Sequence, residues 1–380
     1  MAQYTIPCKG IVAYSEHDWK WEDMLTREPA EDEFLIDLVA TGVCHTDITG
    51  YGGIYPRVLG HEGAGRVVRL GSEKLKSHFA PGDLVILSAA SCQDCHYCNT
   101  GHPAYCANHA AVTLRANEPN FVLASDNTKV IGGGYFGQSS FANPTPVKAS
   151  CAANVTRMIR DADELKLFAP LGCGIMTGAG AMTHVGKCGP DDVVCVVGLG
   201  GVGLAGIAAA KHRGVKTIIA ADLLQSRVEL ALSMGATHGL VSSPDALKAG
   251  GHEDLSSALR ATSPNNLGCT HILDTSPSVA VLQACLEALQ NNGTVLQVGV
   301  KPVGAKLELD LLTHMVHGRR LVGVIEGDRD PAEALPELVR WCKDGTLPVA
   351  KLLKNYSVQE FDAARQAMEK GEVIKGVLIW

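Results

Sequence analysis

Val193-Val194-Cys195-Val196-Val197-Gly198-Leu199-Gly200-Gly201-Val202-Gly203 is the stretch on which the reading of the fold turns. Its first five residues are a short apolar run, mostly β-branched, of the kind buried in a parallel sheet. Leu204 to Arg213 follows, rich in Ala and free of Pro, and reads as a helix. A second strand, Thr217-Ile218-Ile219-Ala220-Ala221, ends at Asp222. The glycines have separate tasks. Gly198 allows a tight turn, Gly200 lets a pyrophosphate approach the backbone, and Gly203 lets helix and strand pack closely. Gly201 and Val202 complete the turn before the helix, whose N-terminal N–H groups and dipole face the phosphates. Asp222 stands 19 residues past Gly203, where a carboxylate can accept bonds from the adenosine ribose hydroxyls. Strand, turn, helix and acid together predict a dinucleotide site, which a Gly-rich hexamer alone does not. Asp222 repels a 2′-phosphate and so favours NAD. Arg227 leaves NADP open: it either packs over the adenosine or softens the preference.

With 380 residues the chain is too long for one core, and two domains are expected. Hydrophobic content of 46% and 41 glycines fit a globular α/β protein. No apolar run of 18 residues is present, so no membrane span is expected. No secretory signal opens the sequence, and Val377-Leu378-Ile379-Trp380 is no known address motif. A net charge of −7 argues against a nucleic-acid partner. Thirteen cysteines, an odd number clustered locally, suggest thiols and metal ligands in a reducing cytoplasm.

Residues 1 to about 160 read as mostly β, with strands at 34–40, 65–70 and 84–87. From about 175 to 322, strands at 193–198, 217–222, 238–241, 270–274, 294–298 and 320–325 alternate with helices. Six such strands make a doubly wound parallel sheet. Helices near 331–343 and 358–370 and a last strand at 375–379 complete the chain. The division is 1–174, 175–322 and 323–380, the last part returning to the first domain.

Two groups of metal-ligand residues stand out. Cys92, Cys95, Cys98 and Cys106 form C-x2-C-x2-C-x7-C. Four thiolates this close can wrap one Zn²⁺ in a closed structural site. An iron–sulfur cluster also fits the spacing, but nothing else in the chain suggests electron transfer. The second group is dispersed: Cys44, His61 seventeen residues on, and Cys173 just before the dinucleotide domain. Two Cys and one His make a three-ligand catalytic zinc set with a fourth position open. Spacing alone leaves the other reading standing, since a free cysteine is usually a small buried hydrophobe and a lone histidine a core residue.

Gly60-His61-Glu62-Gly63-Ala64-Gly65, the four-cysteine lobe, Gly172-Cys173-Gly174 with Thr177-Gly178, and the Gly198–Gly203 turn occur in the order seen in medium-chain zinc-dependent alcohol dehydrogenases. The resemblance covers nearly the whole chain. Tyr135-Phe136-Gly137-Gln138-Ser139-Ser140-Phe141 and Glu326-Gly327-Asp328-Arg329-Asp330-Pro331 further resemble the aryl-alcohol (benzyl-alcohol) dehydrogenase branch. It implies an α/β fold: a GroES-like, mostly-β catalytic domain with the zinc lobe, plus a Rossmann coenzyme domain. It implies Cys44, His61 and Cys173 on a catalytic zinc, with Glu62 as supporting carboxylate, and Thr46 as the hydroxyl that bonds the substrate oxygen. By the same resemblance, His45 and Lys375 lie at the coenzyme phosphates, and Thr177, Val298 and Val300 near the nicotinamide. Tyr135, Phe136, Val300 and Ile325 would line the substrate pocket, with Ile54 or Tyr55 at its mouth.

Two departures matter. Many relatives have a histidine five residues after the first ligand; here it is Thr49, which can pass a proton but does not titrate near neutrality. Gln93 stands where relatives usually have Gly. The expected activity is hydride transfer between NAD(H) and a primary alcohol or aldehyde, aromatic or cyclic, with two zinc ions per chain. The alternatives are an NADPH-preferring reductase and a glutathione-dependent formaldehyde dehydrogenase. The resemblance further suggests a homodimer built through an edge strand near Leu296–Lys301, or a homotetramer.

Overall fold

The structure is a computed structural model that describes residues 3–49, 53–114 and 117–380. The chain forms two compact units. One comprises the chain up to Gly174 with Arg329–Lys343 and Pro348–Trp380; the other comprises Ile175–Asp328 and Asp344–Leu347.

The first unit holds two sheets. One has six strands in the order Trp19–Arg27, Glu118–Leu123, Asp126–Gly133, Arg57–Val58, Tyr4–Ala13, Ala142–Asn143. Trp19–Arg27 also pairs with Tyr4–Ala13, so this sheet curls back on itself. Met24, Phe121, Ile131 and Phe141 fill it. The other sheet has seven strands, with Glu33–Gly42 paired to Gly63–Leu70 on one side and to the tail strand Lys375–Ile379 on the other. Glu33–Gly42 is buried almost throughout, as an interior strand must be. Gly63–Leu70 turns Arg66 and Val68 outward and Val67 inward, the two-residue period of a half-covered strand.

The register of that antiparallel pair places the site. Thr41 faces Gly63, and Gly42 N–H donates to the Glu62 carbonyl at 3.0 Å. The end of one strand therefore lies beside the start of the other. Cys44, just after the first, comes alongside His61 and Glu62, just before the second.

The second unit is built on a six-stranded sheet, parallel throughout. Its order is His238–Val241, Thr217–Asp222, Val193–Val197, Cys269–Asp274, Leu289–Gln297, Arg320–Gly323. Chain order reverses beside Val193–Val197, which makes the turn after it the crevice where such sheets bind ligands. The helix begins at Gly201, three residues before the expected Leu204, because Gly201 and Gly203 belong to its first turn. Gly203 through Ala210 are buried on the sheet. The strand expected at 294–298 runs Leu289–Gln297. That expected at 320–325 stops at Gly323, before Glu326, Gly327 and Asp328 turn with φ of 49°, 64° and 51°. Leu296 has strands on both sides, so the expected edge near Leu296–Lys301 is corrected: the edge strand on that side is Arg320–Gly323. Among the described residues, no helix is long and apolar enough to cross a membrane.

Candidate active site

Cys44 leads into the short helix His45–Thr49. Cys173 follows the turn Ala169–Gly172, which lies so close to Leu84–Leu87 that a Cβ on Gly172 would fall 1.8 Å from the Leu87 carbonyl oxygen. The sulfurs of Cys44 and Cys173 are 4.0 Å apart, and His61 Nε2 is 3.3 Å from Cys173 Sγ. These three donors and a Glu62 carboxylate oxygen all lie within 4.8 Å of one another. A tetrahedral zinc with bonds to sulfur of about 2.3 Å requires sulfurs roughly 3.8 Å apart, which this spacing meets. Two sulfurs and an imidazole are also the donor chemistry zinc selects.

Glu62 is fully buried. Its Oε1 accepts from Lys375 Nζ at 2.6 Å, while its Oε2 is buried with no hydrogen-bond partner. Gly42 leaves the space: a Cβ there would be 2.0 Å from that Oε2. A buried carboxylate with one unpartnered oxygen, grouped with two sulfurs and an imidazole, suits a divalent cation. Burial pushes the Glu62 carboxyl up to about 8, against the pull of Lys375. Lys375, although burial opposes its charge, is held above its ordinary value by Glu62 and the sulfurs of Cys44 and Cys173. Its Nζ also donates to the Val43 carbonyl at 3.1 Å. The structure places Lys375 on Glu62, because a buried carboxylate claims the nearest cation. The hydrogen bond with Cys173 holds the Cys44 thiol well below its usual value.

Asp47 had no role assigned from sequence. It is fully buried and takes three bonds. Its Oδ1 lies 2.7 Å from His61 Nδ1 and accepts from Gly60 N–H at 3.2 Å; its Oδ2 accepts from Cys44 N–H at 3.0 Å. One carboxylate thus fixes a ligand histidine and the backbone of a ligand cysteine. The available signal was a carboxylate three residues after Cys44, one helical turn on.

Phe136 stacks on the His61 ring, centroids 4.3 Å apart at 23°, and Tyr135 meets it edge-on at 5.6 Å. Tyr135 has no exposed surface, and its hydroxyl donates to the Thr46 carbonyl at 3.3 Å. It backs the ligand imidazole. Thr46 is half-buried and His45 exposed. Thr49 is exposed, and its hydroxyl donates to the His45 carbonyl at 3.0 Å. Ile54 is 68% exposed, and the Tyr55 ring lies 4.6 Å from the Arg57 guanidinium.

In the second unit, Gly198 takes φ 88° and a Cβ on Gly203 would be 2.0 Å from the Gly198 carbonyl oxygen. Gly200 caps the helix that Gly201 and Val202 begin. Asp222 Oδ2 accepts from Leu199 N–H at 2.7 Å and its Oδ1 from Leu224 N–H at 3.0 Å. Arg227 reaches the Leu199 carbonyl at 3.2 Å. Asp222 is thereby locked against the turn. Thr177 is buried, Val298 and Ile325 are half-buried, and Val300 is 53% exposed.

The sulfurs of Cys92, Cys95, Cys98 and Cys106 also lie within 4.8 Å of one another. Backbone N–H groups of Ala107 and Asn108 aim at Cys95 and Cys106 at 3.4 and 3.3 Å. The Asp94 N–H leads the contacts that lower the Cys92 thiol to about 6. Gln93 adopts φ 56°, the left-handed region that a glycine there would enter freely.

Residues 30–153 match the alcohol dehydrogenase GroES-like domain, and residues 201–344 the zinc-binding dehydrogenase family. The chain is 35% identical to the geraniol dehydrogenase of Castellaniella defragrans, over 93% of this chain and 92% of that one. It is 29% identical to the S-(hydroxymethyl)glutathione dehydrogenase of a Synechocystis strain, over 92% and 93%. Among solved structures, the benzyl alcohol dehydrogenase of Acinetobacter calcoaceticus superposes with a TM-score of 0.87 at 31% identity, covering 99% of both chains. With two zinc-ligand clusters, a doubly wound coenzyme sheet and this likeness along its whole length, the chain belongs to the medium-chain zinc-dependent alcohol dehydrogenase family.

Proposed function

We propose that this enzyme catalyses reversible hydride transfer between NAD(H) and a primary alcohol or aldehyde carrying an aryl, cyclic or allylic group. The observation that carries the reading is the convergence of Cys44, His61 and Cys173 with Glu62 within 4.8 Å. Likeness to a geraniol dehydrogenase and a benzyl alcohol dehydrogenase supports the substrate class. Cys44, His61 and Cys173 would hold a zinc ion, which supplies Lewis acidity toward an alcohol or carbonyl oxygen. Gly198 to Gly203 and Asp222 would hold NAD(H), which supplies the hydride acceptor or donor. Cys92, Cys95, Cys98 and Cys106 would hold a second, structural zinc.

The residues themselves do the rest. Asp47 holds His61 in one tautomer, with Nε2 free to ligate. Thr46 takes the hydroxyl proton of an alcohol, or returns it to an aldehyde. Thr49 has its own hydroxyl proton on the His45 carbonyl, so the proton passes from Thr46 to water at the exposed His45 side. Lys375 keeps Glu62 in place. Phe136 shields one face of His61 from water. The assembly is a homo-oligomer in this reading: Leu311, Leu312, Met315 and Val316, all at least 66% exposed, lie on one short helix before the open strand edge. A chain whose cysteines are metal ligands and free thiols suits the reducing cytoplasm.

A panel of aromatic, terpenoid and aliphatic aldehydes, assayed with NADH and NADPH in parallel, tests the proposal. Turnover with aryl or allylic aldehydes and NADH supports it. Turnover only of formaldehyde, and only with glutathione, would instead favour the function of the 29%-identical relative.

A further inference from the structure

Gln138 is fully buried and uses its whole side-chain amide on main chain. Nε2 donates to the His61 carbonyl at 2.9 Å and to the Ser88 carbonyl at 2.7 Å. Oε1 accepts from Gly63 N–H at 3.1 Å. The His61 carbonyl and the Gly63 N–H flank Glu62 on either side. One amide therefore ties the segment carrying a ligand imidazole and the orphaned carboxylate to the end of the strand Leu84–Leu87. The approach is possible only because residue 63 is glycine, where a Cβ would sit 2.8 Å from Ser140 Cβ and 3.1 Å from Gln138 Oε1.

The turn that delivers this amide is held in an uncommon shape. Phe136 and Ser139 both take φ 53°, and Gly137 between them 79°. Left-handed residues other than glycine are strained and persist where the surroundings over-determine them. Here Ser139 Oγ donates to the Val58 carbonyl at 2.8 Å and accepts from Tyr135 N–H at 3.1 Å. Thr145 Oγ1 donates to the Gln138 carbonyl at 3.0 Å. The shape presents the Phe136 ring to His61 and the Gln138 amide to the His61 backbone at once.

We infer that Gln138 is a positioning residue: it fixes the His61–Glu62 segment so that His61 Nε2 and the Glu62 carboxylate stay beside Cys44 and Cys173. It rests on the zinc reading above. Asp47 orients the imidazole from the side chain; Gln138 fixes the backbone that carries it. Without Gln138 three buried main-chain groups lose partners, and the strain in the turn favours moving away.

The test follows zinc release to a chelator from purified enzyme. Wild type should hold two ions per chain; if it holds one, the zinc reading itself is overturned. In Gln138→Met, nearly the same size but without hydrogen bonds, one ion should leave at least ~10-fold faster, in line with other supporting partners of metal ligands. The ion in the four-cysteine lobe should leave at the wild-type rate. Phe121→Leu, in the same apolar core, serves as the control for general destabilisation. Release from Gln138→Met no faster than from that control, at equal loss of Tm, overturns the proposal. Gln138→Glu keeps the acceptor for Gly63 but sets an oxygen against the His61 and Ser88 carbonyls, so it should also release that ion faster than wild type and the control; it gives the reading if Gln138→Met does not fold.

Discussion

Asp47 decides whether His61 acts as a ligand or as a core residue. With Nδ1 at 2.7 Å from its carboxylate, the ring has one free nitrogen, and it points to the sulfurs. Asp47→Ala should weaken binding of one zinc by about 10–100-fold while leaving the other in place; metal titration after chelation checks this, and unchanged affinity at both sites would contradict it. Gln93 makes the opposite kind of prediction. A non-glycine residue at φ 56° costs roughly 1–2 kcal/mol, part of which glycine returns as chain entropy. Gln93→Gly should therefore raise stability by up to ~1 kcal/mol, seen as a higher denaturation midpoint with zinc content unchanged. At this scale the ligands were legible in sequence because sulfur and imidazole at family spacing admit few uses. Asp47 was not, because a carboxylate one turn after a cysteine is common on exposed helices. The contact of Lys375 with Glu62 was not legible either, because the tail strand that delivers it pairs across more than 300 residues.

The pairing of Glu33–Gly42 with Gly63–Leu70 sets the distance between Cys44 and His61. Glu33 anchors the start of this pair: its carboxylate takes Arg27 Nη1 at 2.6 Å and Nη2 at 3.0 Å and accepts from Ala30 N–H at 2.8 Å. Burial opposes the charge, but Arg27 and the Ala30 N–H outweigh it and hold Glu33 below its ordinary value. A depressed carboxyl stabilises fully above its unfolded pKa and loses that contribution as pH falls through its folded pKa. Glu33→Gln should cost on the order of 3 kcal/mol at neutral pH. The gap to wild type should close as pH falls below about 4. Denaturation at pH 7 and pH 3 measures it, and a gap that widens in acid contradicts the account. In the coenzyme unit, Gly203→Ala would drive a methyl to 2.0 Å from the Gly198 carbonyl. The expected cost is roughly 1–3 kcal/mol, with a larger Kd for NADH. The six strands of this unit were legible because each is a short apolar run closed by a turn. Their ends were less so: Leu289 to Gly293 join a strand through pairing with Cys269–Asp274, which local sequence does not announce.

For the molecule as a whole, sequence order alone announced the family, because two cysteine sets and a glycine turn in one succession leave few folds. The sheet edge did not follow from it. Leu296 looks like an edge residue only until Arg320–Gly323 pairs outside it. If copies of the chain associate there, Met315→Glu should shift the assembly toward monomer in light scattering while each chain still binds zinc. An unchanged mass would contradict that interface.

The most direct measurement is zinc per chain, with turnover and NADH binding followed on the same sample, for wild type and Cys44→Ala. The account predicts two ions and turnover in wild type. In the variant it predicts one ion, no turnover and near-normal NADH binding. Two ions retained in Cys44→Ala, or turnover at the wild-type rate, would contradict it.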